Sequence, residues 1–163
     1  IAQDPLAGQP IGGSVKLTVA RRPVTVYLAD LERADSDNFS ACNSSVDAVA
    51  YPKSMCMNDY WGGESGTVSW NLSKGYRKLQ ATVGRNDDTS NTETKVKVEV
   101  SLDQRVVWSE TVEFGTPVQM DIDVTDALRL KIEATALNEE RSSLVLGDIR
   151  VLGLPGEVPE QKE

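Results

Sequence analysis

The chain contains no histidine. That single absence removes His-ligated zinc, Ser-His and Cys-His nucleophile systems and histidine general bases together. No other catalytic motif takes their place, so the protein is expected not to be an enzyme. Clusters of basic residues are missing as well: 17 Lys and Arg are scattered among 25 Asp and Glu, giving a formal charge of -8. Such a field repels a phosphate backbone, and nucleic acid is not an expected partner. No apolar run approaches the ~20 residues of a membrane-spanning helix, so no direct membrane insertion is expected. The first residues, Ile1-Ala2-Gln3-Asp4-Pro5, do not form a signal peptide. From both of its ends the chain reads as a piece of a larger protein.

What is present points to one β-rich domain. A length of 163 residues accommodates one well-buried core and is too short for two ordinary ones. Residues 1–13, with Pro5, Gly8, Pro10, Gly12 and Gly13, read as a linker or irregular lead-in, and residues 14–153 as the domain. Alternating apolar and polar residues predict strands over Ser14–Ala20, Val24–Leu28, Thr67–Leu72, Arg77–Val83, Lys95–Leu102, Val106–Val112, Val118–Val124, Leu128–Ala134 and Leu144–Leu152. Short strands at this spacing, separated by Asp, Asn, Gly and Pro, indicate a sandwich rather than a parallel sheet. Ser101–Arg105 fits a hairpin in which Asp103-Gln104 replaces the more usual Asp-Gly. From Ala29 to Ser65 the alternation is lost among Asp, Ser, Asn, Gly and Pro, which reads as one long loop. Residues 154–163 read as an acidic, flexible tail.

Within that loop, Cys42 and Cys56 are close enough for a disulfide worth ~3 kcal/mol in chain entropy. A bridge favours an oxidising, extracytoplasmic setting; the alternative is a pair of unrelated reduced thiols. Asp59, Trp61 and Glu64 flank two glycines in the same region. The indole could stack on a pyranose face while the carboxylates take hydroxyls, or it could fold back as a plug for one end of the sandwich. Asn86, Asp87 and Asp88 follow a strand-ending glycine and are succeeded by small polar residues. Their oxygens suit sugar hydroxyls or Ca²⁺, or else a solvated turn. Asp121 and Asp123 alternate with Met120 and Ile122 and belong to a solvent face rather than to a catalytic pair. Trp70 and Trp108 fall within strands, where packing is the expected role. Asn38, Asn43 and Asn71 begin Asn-x-Ser triplets.

The run Leu72–Gly84, followed by Arg85-Asn86-Asp87-Asp88, resembles the central strands and acidic loop of the NPCBM family of carbohydrate-binding modules. The stretch Val118–Ile132 is similar to that family's paired Asp, Val-Thr and Leu-x-Leu pattern, and the similar region extends from about Val24 to Gly153. The resemblance implies an all-β, antiparallel, galactose-binding-like jelly-roll sandwich, here with a long disulfide-tethered loop. It also implies a non-catalytic, extracytoplasmic module of a larger protein that recognises a glycan or cell-wall component through loops at one end. Trp61, Asp59, Glu64, Asn86, Asp87 and Asp88 are the expected ligand-binding residues; no cofactor is required, and Ca²⁺ is the metal to test. Where the family has a His- and Trp-containing segment, this chain has Asn138–Arg150, of which Gly147-Asp148 and the final strand match. That departure supports the alternative of a protein-interaction or sensor domain of a membrane-anchored or surface protein that has lost the sugar site.

Overall fold

A computed structural model describes residues 22–57, 65–89, 92–137 and 143–159; the expected lead-in and the expected strand Ser14–Ala20 lie outside them. The described residues form an all-β antiparallel sandwich, in which a 3₁₀ turn at Leu28–Asp30 is the one helical element. One sheet joins β3 (Phe39–Val46), β4 (Val49–Met57), β11 (Leu144–Gly153), β6 (Lys78–Gly84) and β9 (Val118–Asp123) in that order, with β1 (Val24–Tyr27) also on β11. The other runs β2 (Asp35–Asp37), β5 (Ser65–Asn71), β10 (Arg129–Ala136), β7 (Val96–Leu102) and β8 (Arg105–Val112).

Alternation explains why these segments pair. Val96, Val98, Val100 and Leu102 of β7, with Leu130, Ile132 and Ala134 of β10, point inward and are buried. Met120 and Ile122 of β9 do the same from the opposite sheet, while Asp121 and Asp123 face solvent as their spacing predicts. Trp70 sits fully buried between the layers, and its indole nitrogen donates to the Leu28 carbonyl at 3.1 Å. That bond satisfies the one polar atom of the largest core side chain. Truncating Trp70 to Ala would cost about 3–5 kcal/mol.

The segment read from sequence as a loop over 29–65 instead holds β2, β3 and β4. Its alternation is hidden for a physical reason. The β3–β4 hairpin pairs with the edge of β11 through Met55–Met57, and its outer part lies over the outward face of β11 and β6. A Cβ at Gly84 would run into Val46 Cγ1, and one at Gly147 would lie 2.8 Å from the Tyr51 ring. The hairpin therefore contributes to a second, small core of Val46, Cys56 and Val145, joined by Cys42 and Tyr51. An irregularity between Cys42 and Ser44 shifts the register and breaks the pattern. The expected Cys42–Cys56 disulfide is present, with a Cα–Cα separation of 5.9 Å, and it cross-links the two strands of this hairpin. Because β11 is covered on both faces, Leu144-Val145-Leu146 reads as an unbroken apolar run.

Strand register defines the two ends. Met57 pairs with Leu144, Val145 with Gly84, Thr135 with Ser65 and Ala136 with Val96, so one end carries these residues and the connection that follows Gly84. The opposite end gathers residues 72–77, the Asp103-Gln104 turn and residues 124–128, where the Leu72 and Lys74 amides donate to the Leu128 and Ala127 carbonyls. Residues 154–159 lie against this second end. Val158 packs on the main core and Glu157 pairs with Arg77 at 3.1 Å.

Candidate functional site

The connection after β6 is organised by Arg85. Leu79, Ala81 and Val83 point inward on β6, and Arg85 continues that parity, bringing a guanidinium into the end of the sandwich with only 1% of its surface exposed. Burial of this charge is offset by charge-assisted hydrogen bonds. Nε donates to the Ser143 carbonyl at 2.6 Å, Nη1 to the Thr94 carbonyl, and Nη2 to Thr89 Oγ1 at 3.2 Å. One side chain thus ties the start of β11 to both ends of the 85–94 connection. The sequence reading did not assign Arg85 a role; the inward parity beyond a strand-ending glycine was the available signal. Ser143 Oγ, buried nearby, has no hydrogen-bond partner among the described residues.

The acidic residues that follow are bonded to backbone. Asn86 Oδ1 accepts from the Asp88 amide at 2.9 Å, and the Asn86 carbonyl accepts from the Thr89 amide at 3.0 Å. Asp87 reaches the tip of the β3–β4 hairpin, where its two carboxylate oxygens accept from the Asp47 and Ala48 amides at 2.8 and 2.9 Å. Its own amide donates to the Ser45 carbonyl at 3.0 Å. Asp88 is exposed. The connection therefore supports the hairpin as well as presenting polar groups at this end. No group of three or more His, Cys, Asp or Glu among the described residues is placed to hold a metal ion, Ca²⁺ included.

Asp59, Trp61 and Glu64 lie outside the described residues. The described residues that flank them, Met57 and Ser65, stand at the Arg85 end, and Asn38 Nδ2 bonds the Ser65 carbonyl at 3.2 Å. The cysteines are thus placed together by the disulfide, and Asn86, Asp87 and Asp88 by one short connection.

A concavity lies elsewhere, on the outward face of the five-stranded sheet towards the opposite end. It measures about 700 Å³, and its walls include Asp35, Ser69, Gln104, Leu128, Arg129 and Lys131. Pairing of Asp35 with Ser69, Ser69 with Lys131 and Lys131 with Ser101 sets one continuous row of side chains across four strands. At its rim Asp103 accepts from the Leu128 and Arg129 amides at 3.1 and 2.8 Å, fixing the β7–β8 turn beside the groove. Nearby, the hydroxyl and then the amide of Thr125 hydrogen-bond Asp123 and hold its carboxyl below the usual range.

Comparison with known proteins joins this geometry to a family. Structurally similar chains include the CBM51 of Clostridium perfringens GH95, solved in complex with methyl-galactose, at 15% identity and TM-score 0.66 over 78% of this chain and 99% of that one. CBM51-2 of ZmpB from the same organism, in complex with GlcNAc and with its INT domains, matches at 13% identity and TM-score 0.67, over 82% of this chain and 32% of that chain. The tandem CBM51 modules of the family 98 glycoside hydrolase Sp3GH98 from Streptococcus pneumoniae match at 16% identity and TM-score 0.65, over 85% of this chain and 53% of that chain. At these identities the likeness is one of fold. No curated protein sequence matches the chain. The NPCBM/NEW2 domain profile, however, matches residues 63–148, more than half of the sequence and inclusive of the acidic connection and both strands around it; the chain belongs to the NPCBM/NEW2 domain family.

Proposed function

We propose that the protein is a non-catalytic glycan-binding module of a larger, extracytoplasmic protein, and that it presents its sugar site at the Arg85 end of the sandwich. The observation that carries the reading is the buried Arg85 guanidinium, which fixes the 85–94 connection and the start of β11 from beneath. Rigid support under polar connections is what weak, hydroxyl-directed recognition requires. Family membership and the CBM51 likeness support carbohydrate as the partner, and the disulfide supports an oxidising compartment. On this reading Asp88 offers an open carboxylate, Asn86 an amide, and Trp61, Asp59 and Glu64 the stacking face and further acceptors. Asp87 acts mainly by holding the hairpin.

One observation favours a second reading, that of a protein-interaction or sensor domain which keeps the fold without the sugar site. Both carboxylate oxygens of Asp87 are occupied by Asp47 and Ala48, which reduces the groups open to a ligand. A glycan-array screen with and without Ca²⁺ separates the two. Specific capture of a glycan, weakened by Asp88→Ala and Trp61→Ala with unchanged unfolding curves, supports the first reading. An empty array under both conditions overturns it in favour of the second.

A further inference from the structure

The groove on the five-stranded sheet carries chemistry that the loop-end site does not explain. Neighbouring charges on this face are matched in pairs: Lys97 with Glu99 at 2.8 Å, and Lys131 with Glu133 at 3.7 Å. Two charges in the groove are different. Among the described residues the Arg129 guanidinium makes one long hydrogen bond, 3.4 Å to Ser69 Oγ, and forms no ion pair. Asp35, directly across Ser69 in the cross-strand row, accepts, among the described residues, only from the adjacent Ser36 amide at 3.0 Å. An acceptor-only carboxylate and a donor-only guanidinium thus flank one hydroxyl on the same face without meeting each other. Leu128, 54% exposed, supplies an apolar wall beside them, and the Gln104 amide stands at the rim.

We infer that this groove is a second saccharide site, one that takes a neutral pyranose with adjacent hydroxyls. Each sugar hydroxyl both donates and accepts, so a vicinal pair satisfies Asp35 and Arg129 together, while Ser69, 5% exposed, lies between them and accepts from Arg129. The Arg129 fork presents parallel N–H groups to two acceptors at once, and Leu128 covers the C–H face of the ring. Charge of both signs in one row argues against a phosphorylated or polyanionic ligand, as does the acidity of the whole chain. The volume lies within the ~300–1,000 Å³ of small-molecule sites. Register maintains the arrangement, because Asp35, Ser69 and Lys131 are held opposite one another by the ladder, and Asp103 fixes the backbone at Leu128 and Arg129.

Amide and arginine side-chain NMR titrations of the whole chain test this, with methyl-galactose, GlcNAc and mannohexaose as neutral probes and glucuronic acid and inorganic phosphate as anionic ones. The expected result is saturable shifts at Asp35, Ser69 and Arg129 with at least one neutral probe. Arg129→Ala should weaken that binding tenfold or more. Arg129→Lys, which keeps the charge and loses the fork, should weaken it nearly as much, and Asp35→Asn by a smaller factor. Both sites are outward and exposed, and matching unfolding curves confirm that each variant folds. Shifts confined to residues 85–89, unchanged affinity in Arg129→Ala, stronger binding of either anion, or no shift with any probe would each overturn the proposal. The first of those outcomes would leave the loop-end reading standing, whereas shifts at the groove alone would remove it.

Discussion

Two hairpins of this protein end in the same kind of tip and are secured in opposite ways. Asp47-Ala48 closes β3–β4 and Asp103-Gln104 closes β7–β8, and all four residues have positive φ, from 50° to 72°. Each tip involves an aspartate carboxylate that accepts two backbone amides. In β7–β8 the carboxylate belongs to the turn itself, where Asp103 reaches out to Leu128 and Arg129. In β3–β4 it comes from elsewhere: Asp87 reaches in to Asp47 and Ala48. The inner row of β7 is Val96, Val98, Val100 and Leu102, all on the main core, whereas β3–β4 seats Phe39, Met55 and Met57 there and continues past it to a small second core, a disulfide and an external cap. The outer half of that hairpin, beyond Phe39, Met55 and Met57, supplies little hydrophobic area and is held by a covalent link and by a neighbouring loop. That dependence links the hairpin to the proposed sugar-binding end.

The largest effect should come from opening Cys42–Cys56. A bridge with a sequence separation of 14 is worth about 3 kcal/mol. The Cys42→Ser/Cys56→Ser double variant should lose about that much in urea unfolding. Hydrogen exchange should accelerate more at Phe39–Met57 than at Val96–Val112. Equal loss of protection in both hairpins would remove the distinction between them.

Next in size is crowding of the hairpin's resting surface. Gly84→Ala and Gly147→Ala place a methyl group against Val46 in the first case, and against Tyr51 and the Thr82 carbonyl in the second. Overpacking of this kind costs ~1–3 kcal/mol. Gly147→Ala should be the harder to accommodate, since the Thr82 backbone cannot swing aside as a valine methyl can. Calorimetric melting of the two variants checks both the loss and its order.

Removing the caps is expected to cost less. Asp87→Ala and Asp103→Ala each leave two amides without a carboxylate partner, and each should destabilise by about 1 kcal/mol. Their structural consequences should differ: Asp87→Ala should loosen the β3–β4 tip, whereas Asp103→Ala should loosen residues 126–129. Amide exchange at Ala48 and Arg129 reads the two effects separately. The smallest change should be a gain. Ala48→Gly and Gln104→Gly relieve the left-handed strain of a side chain at the tip, and each should stabilise by ~0.5–1 kcal/mol in equilibrium unfolding.

The same contrast accounts for what could be read before the fold was known. Strands β5 to β11 follow from the sequence to within two residues, because each of β5 to β10 alternates with one face on the main core and β11, covered on both faces, is a continuous apolar run. β3 and β4 were hidden, since only Phe39, Met55 and Met57 reach the main core, while the outer part rests on a sheet face by Val46, Tyr51 and a disulfide and leaves no apolar period. Arg85 was legible by parity with Leu79, Ala81 and Val83, although its acceptors at Ser143 and Thr94 were not. The task of Asp87 was not legible either, because its partners lie 39 and 40 residues earlier, in a segment that showed no strands. For the groove, the outward positions of Ser69, Arg129 and Lys131 follow from the pattern. Their union with Asp35 depends on β2, a three-residue strand inside that same hidden region.

The central claim is that this family member binds sugar without transforming it. Titration calorimetry of the whole chain against the glycans captured on the array, with the sugar recovered afterwards for product analysis, tests that claim most directly. The account predicts saturable heats, a second class of site lost in Arg129→Ala, and glycan returned chemically intact. Absence of saturable heat with every glycan, or accumulation of cleaved product, would contradict it.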